Sequence, residues 1–73
     1  NKEFAYSLYH RAAEKGVRNA QEFLCGKYFR GDEIIPKDYV ISAQWGEEAI
    51  KQGSKSVRFE TAYASCYIGE KER

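Results

Sequence analysis

The 73-residue chain predicts an all-α fold, an α/α solenoid of antiparallel helix hairpins, with about four helices making about two repeats. Three observations carry this expectation. Apolar residues recur at i, i+3, i+4 and i+7, without the alternation of strands. Glycines stand where these runs stop, at Gly16, Gly31 and Gly53. The pattern that closes at Gly16 closes again at Gly53, 37 positions later.

The first helix is expected over roughly 2–15, with Ala5, Leu8, Tyr9, Ala12 and Ala13 on one stripe. Gly16 then takes the left-handed position that ends a helix. The second helix is expected over 19–30. Asn19 is its N-cap, since an amide oxygen accepts from a free backbone N–H. Ala20, Leu24 and Tyr28 are spaced by four, Phe23 and Phe29 flank them, and Gly31 ends the run. Gly26 in mid-helix costs up to about 1 kcal/mol relative to Ala, so close packing against a neighbour is expected there.

Asp32 to Lys37 reads as a loop, with the only proline at Pro36. The third helix is expected over 37–52, with Pro36 at its first turn and Asp38 at its positive end. Its stripe is Tyr39, Ser42, Ala43, Gly46, Ala49 and Ile50, with Trp45 on the border, and Gly53 closes it. The fourth helix is expected over 56–68, using Phe59, Ala62, Tyr63, Cys66 and Tyr67. Fraying is expected near Gly69, and a loose tail from Glu70 to Arg73.

Composition narrows the functions. Twelve Lys and Arg stand against eleven Asp and Glu, for a net charge of +1. The sequence pI of about 7.9 carries no clustered basic signature of nucleic-acid binding. No apolar run approaches the ~20 residues of a membrane span, so no membrane insertion is expected. Cys25 and Cys66 form neither a Cys-x-x-Cys nor a Cys/His cluster, so no metal is expected. They read as small apolar helix residues with free thiols, with a bridge between them left open. His10 is the only histidine and has no nucleophile or carboxylate placed beside it by sequence. Glu47 and Glu48 are adjacent, about 100° apart on a helix, and make no carboxylate pair. The glycines end helices and form no phosphate loop. Neither catalytic residues nor a cofactor are expected.

The chain overlays on itself with a shift of 37: Ala5 meets Ser42, Leu8 meets Trp45, Ala12 meets Ala49 and Ala13 meets Ile50. The run AQEFLCGKYFRGDEIIPKDYVISAQWGEEAIKQG, Ala20 to Gly53, goes further. Its Ala20, Gln21, Leu24, Tyr28, Gly31, Asp38, Tyr39, Trp45, Ala49 and Gly53 fall on the pattern of the Sel-one-like repeat family, relatives of the tetratricopeptide repeats. The chain resembles that family over nearly its whole length, 1–73, as a single repeat domain. Ala12, Ala13 and Gly16 match the second helix of a preceding unit. Cys25, Ser42 and Gly46 depart from the family's Gly, Ala and Tyr, and the loop is one residue longer, with Glu33 near the expected Gly. The last copy is worn: Val57, Thr61 and Ser65 stand at the Ala, Leu and Tyr positions.

The resemblance implies a segment of a right-handed superhelix. It also implies a non-catalytic scaffold or adaptor that binds a protein or peptide on its concave helix surface. By position, the concave candidates are Asn19, Glu22, Phe29 and Arg30, with Phe59 and Tyr63 on the last helix. Ala12, Gly16, Ala20, Leu24, Tyr28, Gly31, Tyr39, Trp45, Ala49 and Gly53 are expected to hold the repeat together. The alternative is a structural spacer or self-assembly segment without its own ligand; an enzyme is the weakest reading. The chain begins at Asn1 and reads as a piece of a longer repeat protein. About three units are normally needed for stability, so exposed apolar ends are expected, met by neighbouring repeats or by self-association. The family is widespread in bacteria, so the resemblance allows a periplasmic, secreted or cytoplasmic setting.

Overall fold

In the computed structural model, residues 2–71 are described. They form four helices: α1 (Lys2–Glu14), α2 (Arg18–Arg30), α3 (Tyr39–Lys51) and α4 (Arg58–Lys71). Each packs on the next, and α4 also touches α2. Contacts across each pair run in opposite directions along the two chains. Between α1 and α2, Tyr6 meets Lys27 and Ala13 meets Gln21. Between α2 and α3, Cys25 meets Ser42 and Gln21 meets Gln52. The hairpins are therefore antiparallel.

The repeat is written into the backbone. At the end of α1, Val17 N donates to Ala12 O at 3.1 Å and Gly16 N to Ala13 O at 3.0 Å. At the end of α3, Ser54 N donates to Ala49 O at 3.0 Å and Gly53 N to Ile50 O at 2.9 Å. The bonds match position for position after a shift of 37. Both are the two-bond Schellman closure, which needs a left-handed residue. Gly16 and Gly53 supply it with φ of 95° and 94°.

Gln21 ties the first joint together. Its buried amide donates through Nε2 to Ala13 O at 3.1 Å and accepts at Oε1 from Gln52 Nε2 at 2.8 Å. The Ala-Gln pair that opens a repeat thus has two jobs. Ala20 lets α2 lie close to α1, and Gln21 adds a second hydrogen bond to Ala13 O, which also accepts from Gly16 N at the end of α1.

The core has two parts. Ala13, Ala20 and Leu24 form one; Cys25, Ala49 and Val57 form the other; half-buried Trp45 packs against both. Burying Leu24 fully contributes about 2 kcal/mol. The closest crossing lies between these clusters. A Cβ on Gly46 would overlap Thr61 Oγ1 outright, and would stand 2.9 Å from Thr61 Cβ and 3.0 Å from Cys25 Sγ. Ser42 Oγ donates to Cys25 O at 2.8 Å at the same crossing. Cys25, Ser42 and Gly46, the departures from the family pattern, are thus the small residues that let α2, α3 and α4 meet.

Several expectations are corrected. Asn19 is not the N-cap: α2 starts at Arg18 after Val17, and no side chain caps it. Pro36 lies in the loop, two residues before the N-cap Asp38, whose Oδ1 accepts from Ile41 N at 3.2 Å. Gly26 is not a point of close helix approach; it is covered by Arg30 of its own helix, with Nη2 3.1 Å from an added Cβ. On α1 the buried residues are Tyr6 and Ala13, while Ala5, Leu8 and Tyr9 are exposed. On α4 the buried face is Thr61 and Ala64, continuing from Val57 just before the helix, so Phe59, Ala62, Tyr63, Cys66 and Tyr67 form an exposed face. The periodicity on α1 and α4 was real, but Ala5 and Leu8 on α1 and Ala62 and Cys66 on α4 stay exposed within this chain.

α4 begins at Arg58 instead of 56 and continues past Gly69 to Lys71. Of the expected loose tail, Glu70 and Lys71 are helical, and Glu72 and Arg73 lie outside the described residues. Both cysteines are free, Cys25 buried and Cys66 exposed. Burial pushes the Cys25 thiol up in pKa, as expected of an inert core sulfur.

The crossing predicts opposite outcomes for two glycines on helices. Gly46→Ala should destabilise the fold by about 1–3 kcal/mol through overpacking. Gly26→Ala displaces only the end of Arg30 and should be neutral or stabilise by up to about 1 kcal/mol. Thermal or urea denaturation followed by circular dichroism measures both.

Candidate functional site

The candidate site is an exposed cluster of aromatic rings where the end of α2, the start of α3 and α4 meet. Phe29 comes from the last turn of α2, Tyr39 from the first residue of α3, and Phe59, Tyr63 and Tyr67 from α4. Phe29 lies 5.5 Å from Tyr39 and 5.5 Å from Tyr63 between ring centroids, and 6.5 Å from Phe59. Tyr39 stands edge-on to Tyr63 and Tyr67 at 5.8 and 4.6 Å. Edge-to-face pairs of this kind gain about 0.5–1.5 kcal/mol beyond area burial. The cluster nevertheless stays open: Phe59 is 72% and Tyr63 49% exposed. Helical geometry places Phe59, Tyr63 and Tyr67 one turn apart on one flank of α4.

One cation belongs to the cluster. Lys37 Nζ stands 5.0 Å from the Tyr39 ring centroid. Its pKa is raised, first by the hydrogen bond with Tyr39 and then by charge interaction with that phenol. The ammonium therefore stays charged at the edge of an apolar surface.

Asp32 shapes the loop that carries Lys37 there. Its Oδ1 accepts from Ile34 N and Ile35 N, both at 2.8 Å, and its backbone N donates to Ile35 O at 2.8 Å. Ile35 is buried as the plug of this turn. Oδ2 accepts from the Tyr6 hydroxyl and lies 3.6 Å from Lys27 Nζ, which ties the loop back to α1 and α2. The Ile35 amide first, then the Tyr6 hydroxyl and the Ile34 amide, hold the Asp32 carboxyl well below the usual carboxylate range. At the other end of the loop, Asp38 N donates to Tyr28 O at 2.9 Å.

Three of the six expected recognition residues, Phe29, Phe59 and Tyr63, thus come together. The other three do not join them. Asn19 is exposed on the first turn of α2, beside the joint after α1. Glu22 is half-buried and accepts from Ser54 Oγ, so it serves the second joint. Arg30 is exposed and folds over its own helix, with Nε 3.5 Å from Gly26 O. Sequence reasoning missed Tyr39 and Lys37 as members of the surface. Tyr39 was expected in the packed stripe; it is half-buried at the start of α3, and its ring packs between Phe29 of α2 and Tyr63 and Tyr67 of α4.

A second aromatic group lies on the α1–α2 seam. Tyr9 stacks on Phe23 at 3.9 Å, Tyr6 lies 5.8 Å from Phe23, and Lys27 covers both Tyr6 and Phe23. His10 is half-buried there, its Nε2 3.1 Å from the Tyr28 hydroxyl, with Trp45 edge-on at 6.3 Å. These rings are packing elements of the seam. Among the described residues no group of three or more His, Cys, Asp and Glu could hold a metal ion, and no helix is long and apolar enough to cross a membrane.

The Asp32 network has a testable pH signature. A carboxyl with a depressed folded pKa adds stability above its ordinary value of about 3.9, and that stability drains away as the pH falls below it. The melting temperature should therefore fall on acidification through about pH 4 and below. Asp32→Asn keeps an acceptor oxygen for the loop amides and removes the charge, so its acid-side decline should be shallower when melting is followed against pH. Comparison with known protein families, curated proteins and solved structures finds no match to this chain.

Proposed function

We propose that the chain is a non-catalytic interaction module of the Sel-one-like type that holds a peptide or protein segment on its aromatic cluster. The open cluster of Phe29, Tyr39, Phe59 and Tyr63 is the observation that carries this reading. Contiguous exposed apolar surface on a small domain is typical of interaction sites. Aromatic side chains dominate binding energy at such sites, since they bury large area at little cost in rotamer entropy. The rings here already brace one another, so little ordering remains to be done on binding.

The chemistry of the surface suggests the ligand. A segment with an apolar or aromatic anchor would lie on the exposed rings of Phe59 and Tyr63. An acidic group beside that anchor would meet the Lys37 ammonium. The repeated hairpin, with its matched joints 37 residues apart, supports the scaffold reading because it presents successive helices as a fixed surface.

Selection of peptides from a displayed library tests this. Wild-type protein should enrich peptides with a shared apolar–acidic pattern. Phe59→Ala/Tyr63→Ala should weaken them at least tenfold by fluorescence anisotropy, roughly 1.4 kcal/mol or more. Asn19→Ala should leave them unchanged. Peptides that bind the double variant as well as the wild type would overturn the site, and failure to enrich any sequence would favour a spacer.

A further inference from the structure

We propose that copies of this chain stack head to tail, with the outer face of α4 in one copy seated in an apolar groove between α1 and α2 of the next. The groove has a volume of about 400 Å³ and is lined chiefly by Ala5, Leu8, Tyr9, Ala12, Val17 and Ala20. Leu8 and Val17 are 48% and 47% exposed.

The chain itself shows what covers such a surface. A shift of 37 carries Ala5, Leu8, Ala12, Val17 and Ala20 onto Ser42, Trp45, Ala49, Ser54 and Val57. All five of those are buried or half-buried. Helix α2 is their cover: Cys25 lies on Ser42 and in one cluster with Ala49 and Val57, Leu24 and Tyr28 pack with Trp45, and Glu22 takes the Ser54 hydroxyl. The helix equivalent to α2 is α4. The same shift carries Glu22, Cys25 and Tyr28 onto Phe59, Ala62 and Ser65, and all three are exposed. The face equivalent to a cover and the face equivalent to a covered surface lie at opposite ends of one chain.

The residue changes between the equivalent junctions fit an outer contact. Inside the chain the pair is polar, Glu22 with Ser54. At the outer junction the same two positions are Phe59 and Val17, both apolar and open. The close pair Cys25 and Ser42 becomes Ala62 and Ala5, small against small. One pair opposes the contact: Gln21 with Gln52 becomes Arg58 with Lys15, two like charges, both exposed. Because the two faces differ, the contact is heterologous, and repeating it gives an open stack where a symmetric groove-to-groove contact would close at two copies.

Sedimentation velocity of the 73-residue chain over a roughly 100-fold concentration range tests this. The mean mass should rise past that of two copies, and rise further with added salt as the Arg58–Lys15 repulsion is screened. Leu8→Glu closes the groove and Ala62→Glu closes the α4 face; both positions are exposed, so helix content by circular dichroism should be unchanged. Each variant alone should be monomeric, and an equimolar mixture should form a one-to-one pair and nothing larger. A wild-type monomer at every concentration, growth that stops at two copies, or wild-type assembly by Ala62→Glu would overturn the proposal. Phe59 belongs to both the stacking face and the peptide site, so peptide binding is measured on monomeric Leu8→Glu, whose α4 face is unchanged, and succeeds or fails apart from assembly.

Discussion

The structure depends on one steric constraint: α3 must lie close enough to α4 for its backbone at Gly46 to touch the Thr61 side chain, over the Cys25 sulfur. Everything on the C-terminal side follows from that approach. It brings Val57 into the cluster with Cys25 and Ala49, and it brings α4 within reach of α2. Polar atoms at the crossing are handled locally: the Ser42 hydroxyl serves the Cys25 carbonyl, and the Thr61 hydroxyl lies 3.7 Å from the Cys25 sulfur. Among the described residues no buried side-chain nitrogen or oxygen lacks a partner. A crossing this tight transmits position. The ring of Phe29 at the end of α2 meets Tyr63 on α4 because the two helices are pinned one turn away.

The same residues explain what could be read in the sequence and what could not. Four helices, their hairpin order and the joints at Gly16 and Gly53 were legible because each leaves a local mark: a run of i, i+4 spacing, or a glycine where the backbone must turn left-handed. The faces of α1 and α4 were misread because periodicity reports that a helix has an apolar stripe, without reporting what lies against it. Phe59, Ala62 and Cys66 make as regular a stripe as Ala20, Leu24 and Tyr28, yet one is open and the other is core. Gly46 looked like a departure from a pattern; only the distance between helices reveals that nothing larger fits.

The candidate site was half legible. Phe29, Phe59 and Tyr63 were named from their place on the first helix of each hairpin, and they do converge. Lys37 and Tyr39 escaped notice because a loop places them, and that loop is set by Asp32, whose carboxylate gathers two amides of its own loop and the distant phenol of Tyr6. Sequence spacing carries no signal of such a hub. Glu22 illustrates the reverse: its position suggested an exposed contact, and the hydroxyl of Ser54 claims it.

The paired helix endings have a consequence beyond the fold. The backbone bonds that close the joint at Gly16 span five residues or fewer, and so do those at Gly53. Side chains then join the two, Gln52 Nε2 donating to Gln21 Oε1 and Arg18 Nη1 to Gln52 O. Between them lies one whole period, so inserting or removing a block of that size leaves both closures intact. A gene built on such joints can change the length of its product by copying a cassette, with no new turn to invent. The reach of the molecule then becomes a matter of copy number.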